Sequence, residues 1–145
     1  MAYPERKLEV FEILEEFSKA KNKSSRLGVL TKYGDVRAFT DILRGTFDDS
    51  LKFNLPEGKP PYTPNIEESI PSTLLKLHKN FGLFVKGGPG TDLPAFRREF
   101  KFIELLESIH PKDADLVISM ISKESPVKFL TKKLVQEAFP DLIRE

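Results

Sequence analysis

The sequence contains no cysteine, which excludes disulfides, thiolate-bound zinc, iron–sulfur clusters and thiol nucleophiles. It has only two histidines, too few for a three-histidine zinc site. Net charge is nearly absent: 23 Lys+Arg against 22 Asp+Glu leave +1. That balance excludes a strongly basic nucleic-acid tail and a strongly acidic mimic, while leaving room for local patches of either sign. No apolar run approaches the about 18–20 residues needed to cross a bilayer, and residues 1–10 are charged rather than signal-like. What is there, 145 residues at 39% hydrophobic, 31% charged and 10% aromatic, suits about one globular domain. A soluble, cytoplasmic protein is expected.

Hydrophobic spacing predicts helices. Pro4 and Glu5 suit a first turn, and Leu8, Phe11, Leu14 and Phe17 recur every three to four residues, with Glu9, Glu12, Glu15 and Glu16 on a solvated opposite face. Ser24 or Ser25 is expected to cap a short helix through Leu27, Leu30 and Tyr33, which Gly34 would end. Asp35 would then cap a third helix carrying Val36, Phe39, Ile42, Leu43 and Phe47.

Leu51, Phe53 and Leu55 alternate, after which Pro56, Gly58, Pro60, Pro61 and Pro64 forbid a helix. Four of the 11 prolines fall between positions 56 and 64, so this segment is expected to be extended, as a plain connection or a ligand strip. Ser72 would cap a helix through Leu74 and Phe84, and Gly87, Gly88, Pro89 and Gly90 make a tight turn. Pro94 opens a helix with Phe96, Phe100, Ile103, Leu106 and Ile109 on its apolar face. Pro111 starts another, with Leu116, Val117, Met120 and Ile121 inward, and Thr131 caps a last one that Pro140 stops. The fold class predicted is all-α: a single compact domain, 1–145, of about seven short helices, with halves 1–54 and 66–145 joined by the Pro-rich crossing 55–65. Phe11, Phe39, Phe47, Phe81, Phe100 and Ile103 are the expected core, and Phe100→Ala would then cost about 3–5 kcal/mol.

Catalytic patterns are weak. Lys86–Thr91 is glycine-rich, but its lysine precedes the glycines and no strand leads into it, unlike a phosphate-cradling loop. Lys32-Tyr33-Gly34-Asp35 reverses the Gly and Asp of the nucleotidyltransferase Lys-x-Asp-Gly. His110, Asp113 and Asp115 read as a helix start rather than a metal cluster. His78 has no Ser, Cys or second His to work with. Asp48-Asp49 and Glu67-Glu68 are adjacent acids without a partner at a set distance. No catalytic residue, metal or cofactor is expected.

Positive charge, by contrast, is clustered. Residues 19–32 hold five cations and no acid (Lys19, Lys21, Lys23, Arg26, Lys32), and residues 76–101 hold six cations against two acids. Lys123, Lys128, Lys132 and Lys133 face Glu124 alone in the last stretch. Arg97 and Lys101 stand one turn apart, and the cap at Thr131 leaves backbone N–H groups beside two lysines. These features predict one phosphate-binding surface from Arg97, Arg98, Lys101, Lys128, Thr131, Lys132 and Lys133, with Lys23 and Arg26 as a second contact.

Two stretches carry a resemblance. In front, Phe11-Glu12-Ile13-Leu14-Glu15-Glu16, Leu27-Gly28-Val29-Leu30-Thr31-Lys32-Tyr33, Phe39–Phe47 and Leu51-Lys52-Phe53 follow in order. Behind, Phe102–Leu106, Lys112–Leu116 and Leu130–Ile143 do the same. Both resemble the N-terminal, all-helical DNA-binding domain of the ATP-dependent DNA ligases of T4-like phages. Leu55–Asn65 and His110-Pro111-Lys112-Asp113 are similar to a small family of T4-like phage proteins. The ligase resemblance implies phosphate contacts along a duplex, with the Thr131-Lys132-Lys133 helix at a contact position, in a phage accessory protein acting in the host cytoplasm. A ligase would continue past Glu145 into an adenylation domain, and no Lys-x-Asp-Gly occurs, so ligation is not expected. The expected partner is duplex DNA, bound without regard to sequence. The alternative is a protein of the replication, transcription or host machinery, docked through the Pro-rich strip.

Overall fold

The computed structural model describes residues 8–56, 59–66 and 68–143. Pro4, Glu5, Gly58 and Glu67, to which the sequence assigns roles above, lie outside them. Seven α-helices and one 3-10 helix form a compact single domain without a named strand among the described residues. In order they are α1 (Val10–Lys19), α2 (Lys23–Lys32), α3 (Arg37–Phe47), α4 (Leu74–Leu77), the 3-10 helix His78–Phe84, α5 (Ala95–Leu106), α6 (Pro111–Ile121) and α7 (Lys132–Ala138).

Helix α1 begins with a capping box, in which the Glu12 side chain accepts from the Glu9 N–H at 3.0 Å and the Glu9 side chain serves the first turn in return. Glu9 and Glu12 are therefore structural rather than simply solvated. Asn22, not Ser24 or Ser25, caps α2, accepting from Ser25 N at 2.8 Å. Thr73, not Ser72, caps α4, and α3 starts after Val36 with no side-chain cap, so Asp35 does not serve. Gly34 does not take a left-handed conformation. It is small because the Phe139 ring sits 3.0 Å from where its Cβ would be, which lets the end of α7 meet the end of α2.

The core is one cluster fed from both ends of the chain. Helix α3 packs most extensively on α6, α1 also packs on α6, and α7 packs on α2. The crossing segment makes a single antiparallel bridge, Phe53 with Val85. It then runs beneath the end of α5, where Asn65 Nδ2 donates to Glu107 O and Ile109 O at 2.8 and 2.9 Å. This fastening describes a connection built into the domain. The glycine turn has a local reason as well. A Cβ at Gly90 would lie 2.0 Å from Leu83 O and one at Gly88 2.6 Å from Gly82 O, while Gly87 needs φ +83°.

Helix α5 is rotated relative to expectation. Phe39 and Phe81 are buried and Phe11, Phe47 and Ile103 are half-buried, but Phe100 is 61% exposed and Phe96 69%. The inward face is Arg98, Phe102, Leu105 and Leu106. Arg98 decides the rotation: its Nε donates to Asn54 O at 2.7 Å, and its Nη1 to Leu93 O at 3.0 Å and Gly90 O at 3.4 Å. Those three carbonyls lie just before the crossing segment (Asn54), in the glycine turn (Gly90) and just before α5 (Leu93). Residues two apart on a helix point about 200° apart, so seating Arg98 inward turns Phe96 and Phe100 outward.

Arg98→Ala is expected to destabilise by about 2–4 kcal/mol, because three partly buried acceptors lose a charged donor. Phe100→Ala is expected to change stability by less than about 0.5 kcal/mol. Urea unfolding of the two variants checks both, and a larger loss at Phe100 than at Arg98 would restore the face read from periodicity.

Candidate nucleic-acid interface

The basic residues separate into two regions and one interior position. Lys23 and Arg26 on α2 meet the segment entering α7. Lys23 Nζ pairs with Glu137 of α7 at 3.1 Å, and the Arg26 guanidinium lies 4.0 Å from the Phe129 ring centroid. Lys128 Nζ is 5.3 Å from the same ring. Thr131 caps α7 by accepting from Leu134 N at 3.2 Å, which places Lys132 and Lys133 in the first turn. Lys132 Nζ pairs with Asp49 at 2.9 Å, whereas Lys128 and Lys133 are exposed with no acidic partner among the described residues. Lys23, Arg26 and Lys128 thus meet where α2 packs on α7 and its entry, and Thr131, Lys132 and Lys133 form the start of that same helix. Arg97 and Lys101 are exposed on α5, which packs on α6 and the 3-10 helix. Arg98 is only 7% exposed and spent on carbonyls, so it leaves the expected phosphate surface.

The corner is held by contacts that composition does not announce. Ser125 Oγ lies 2.6 Å from Leu130 O and 3.0 Å from Val127 O, gathering the loop ahead of α7. Leu130 is buried beneath it. Phe129 is 54% exposed and has φ 70°, a conformation a bulky residue adopts only under strain. The sequence signal was a phenylalanine between two lysine-bearing segments, which periodicity alone reads as one more core position.

The other titratable groups have identifiable places. Lys32 Nζ pairs with Glu16 at 3.2 Å, and the hydrogen bond to this carboxylate raises the Lys32 pKa. His110 caps α6, its Nδ1 accepting from Lys112 N at 3.1 Å, and stacks on Phe11 with centroids 4.2 Å apart. His78 Nδ1 lies 2.5 Å from Asp41 Oδ2 beside a cavity of about 520 Å³ between α3, the 3-10 helix and α6. Among the described residues, no three His, Cys, Asp or Glu side chains are grouped to hold a metal, and no helix is long and apolar enough to cross a membrane.

With the fold and these sites in place, one comparison assigns the chain. It belongs to the family of unknown function DUF6433, whose model matches residues 13–125. That span holds α2 through α6, most of α1, and both Lys23 and Arg26; Lys128, Thr131, Lys132 and Lys133 lie beyond it. No curated protein matches the chain.

Among the described residues, Asp113 is the one strongly perturbed acid. It is fully buried on α6, where Oδ1 accepts from Phe11 N at 2.9 Å and Oδ2 has no hydrogen-bond partner. Burial, opposed by the Phe11 N–H and reinforced by Glu9 and Glu12, pushes its pKa from 3.8 up to about 7. Between these values the folded protein binds a proton that the unfolded chain has released, so this group's contribution to stability falls as pH rises from about 4 to about 7. The displacement corresponds to at most about 4 kcal/mol. Asp113→Asn keeps an acceptor for Phe11 N–H and is expected to remove that slope, matching the parent near pH 4 and exceeding it at pH 8. Urea midpoints of both proteins across this range check it; parallel pH profiles would contradict the assignment.

Proposed function

We propose that this member of DUF6433 is a non-catalytic accessory module that holds duplex DNA by its phosphates at the α2/α7 corner. The observation that carries the reading is that Arg26 and Lys128 both stand over the strained, exposed Phe129, with Lys23 tied to α7 through Glu137 and Lys132 and Lys133 in that helix's first turn. Cations drawn from two distant parts of a nearly neutral chain onto one corner give the local field that phosphate binding needs. The pairs Lys23–Glu137 and Lys132–Asp49 do not oppose this. Exposed ion pairs are worth about 0–1 kcal/mol, so a phosphate can replace the carboxylate. The ligase-like order of segments in the sequence points the same way. Contacts of this kind position the protein without reading bases, so binding is expected to be sequence-independent, with Kd of about 10⁻⁴–10⁻⁶ M at physiological salt.

A second reading, docking to a partner protein, is favoured by Phe96 and Phe100, both more than half exposed on α5 beside Arg97 and Lys101. The two readings use different elements, so variants separate them.

Fluorescence anisotropy with a labelled duplex at 50 and 200 mM salt is the test. The parent is expected to bind more weakly at the higher salt. Lys128→Glu with Lys133→Glu is expected to lower affinity at least tenfold at low salt and to reduce the log–log salt slope by about 2. Glutamate in the first turn of α7 suits the helix dipole, so the fold should persist. Phe96→Ser with Phe100→Ser should bind DNA like the parent. Absence of binding by the parent, or a loss confined to the α5 variant, would overturn the proposal.

A further inference from the structure

We propose that the cavity between α3, the 3-10 helix and α6 binds a small organic anion: a flat apolar body carrying one phosphate or carboxylate. The cavity, about 520 Å³, falls in the range of about 300–1,000 Å³ typical of ligand sites. Phe53, Phe81, Val85 and Met120 supply its apolar lining. Arg37 and Arg44, from one stripe of α3, supply two positive charges, and Lys79, beside His78, a third. Arg37 and Lys79 are exposed and have no acidic partner among the described residues. Arg44 is ion-paired to the buried Asp48, Nε lying 3.8 Å from Oδ2, beyond hydrogen-bond distance.

Among the described residues, the acid lining the cavity is Asp41, which faces His78 Nδ1 at 2.5 Å and so orients the imidazole. Two cations without acidic partners, Arg37 and Lys79, and the Asp48-paired Arg44, against one engaged carboxylate around an apolar lining, recognise an anionic head on an apolar body rather than an anion alone. Arg37 and His78 also line a neighbouring cavity of about 730 Å³. There the cations are Arg37 and Lys32, with Asp35 opposite and Lys32 already paired to Glu16, so the excess charge is smaller. This inference is independent of the DNA reading, because α2 and α7 contribute nothing to the cavity.

The test is titration of the full chain with 1-naphthyl phosphate, 1-naphthoate and uncharged 1-naphthol, followed by calorimetry and by amide chemical shifts. The phosphate, the carboxylate or both are expected to bind at least tenfold more tightly than naphthol, and which one does identifies the head group. The amides that shift should be those of His78, Gly82, Val85 and Gly88. Arg37→Gln with Arg44→Gln should reduce the preference over naphthol to less than twofold, and Lys79→Gln, at an exposed position, should weaken it if the double variant fails to fold. Lys128→Glu with Lys133→Glu should leave it unchanged. Equal affinity for the charged and neutral compounds, shifts confined to the α2/α7 corner, or no binding at millimolar concentration would overturn the proposal.

Discussion

The close crossing of α3 over α6 at Gly45 governs the placement of much else. A Cβ at that position would lie 2.4 Å from Met120 Sδ and 2.7 Å from its Cγ, so a larger residue there would have to move the Met120 side chain out of the seam between the two helices. The end of the crossing is locked by Lys123, which follows α6 in a left-handed conformation, φ 58°. Its ammonium donates to Gly45 O at 2.7 Å and Asp48 O at 2.8 Å, serving carbonyls that the end of α3 leaves without helical partners. Burial lowers the pKa of that ammonium, and Asp48 and Asp49 counter the shift. Because the chain turns at Lys123, the loop that follows, gathered by Ser125, leads to Lys128, Phe129 and the cap of α7. The same crossing sets α3 so that Arg37, Asp41 and Arg44 face the cavity beside His78.

A second constraint acts through Arg98. A guanidinium inserted among the carbonyls of Asn54, Gly90 and Leu93 ties three parts of the middle of the chain together. It also fixes the rotation of α5. The exposed Phe96 and Phe100 are a consequence of that choice: the helix carries two apolar stripes, and only one is buried.

Helix positions were legible in the sequence wherever one apolar stripe competed with nothing, as on α3, α6 and α7, and the cap at Thr131 and the start at Pro111 follow from residue chemistry alone. Caps failed where several nearby residues qualified, and at Asp35, where α3 starts with no side-chain cap. Asn22 caps α2 in place of Ser24 or Ser25, and Thr73, which also bonds Glu9, caps α4 in place of Ser72. The face of α5 was not legible, because an arginine inside a domain is visible only once its acceptors are assembled. At the candidate interface, the lysine clusters were readable as charge, but their meeting place was not. The contacts between α2 and the α7 region join residues more than 100 positions apart. The Arg37–Asp41–Arg44 stripe was present at helical spacing, yet an apolar-periodicity reading passes over polar stripes.

The proposed DNA-binding role depends on place: the α2/α7 corner, rather than α5, would be the surface that meets a duplex. Amide chemical-shift mapping of the labelled protein, titrated with a short duplex at low salt, tests it directly. Shifts concentrated at Lys23–Arg26 and Lys128–Lys133, with α5 unaffected, are the predicted result. Shifts concentrated at Phe96–Lys101, or none at any position, would contradict it.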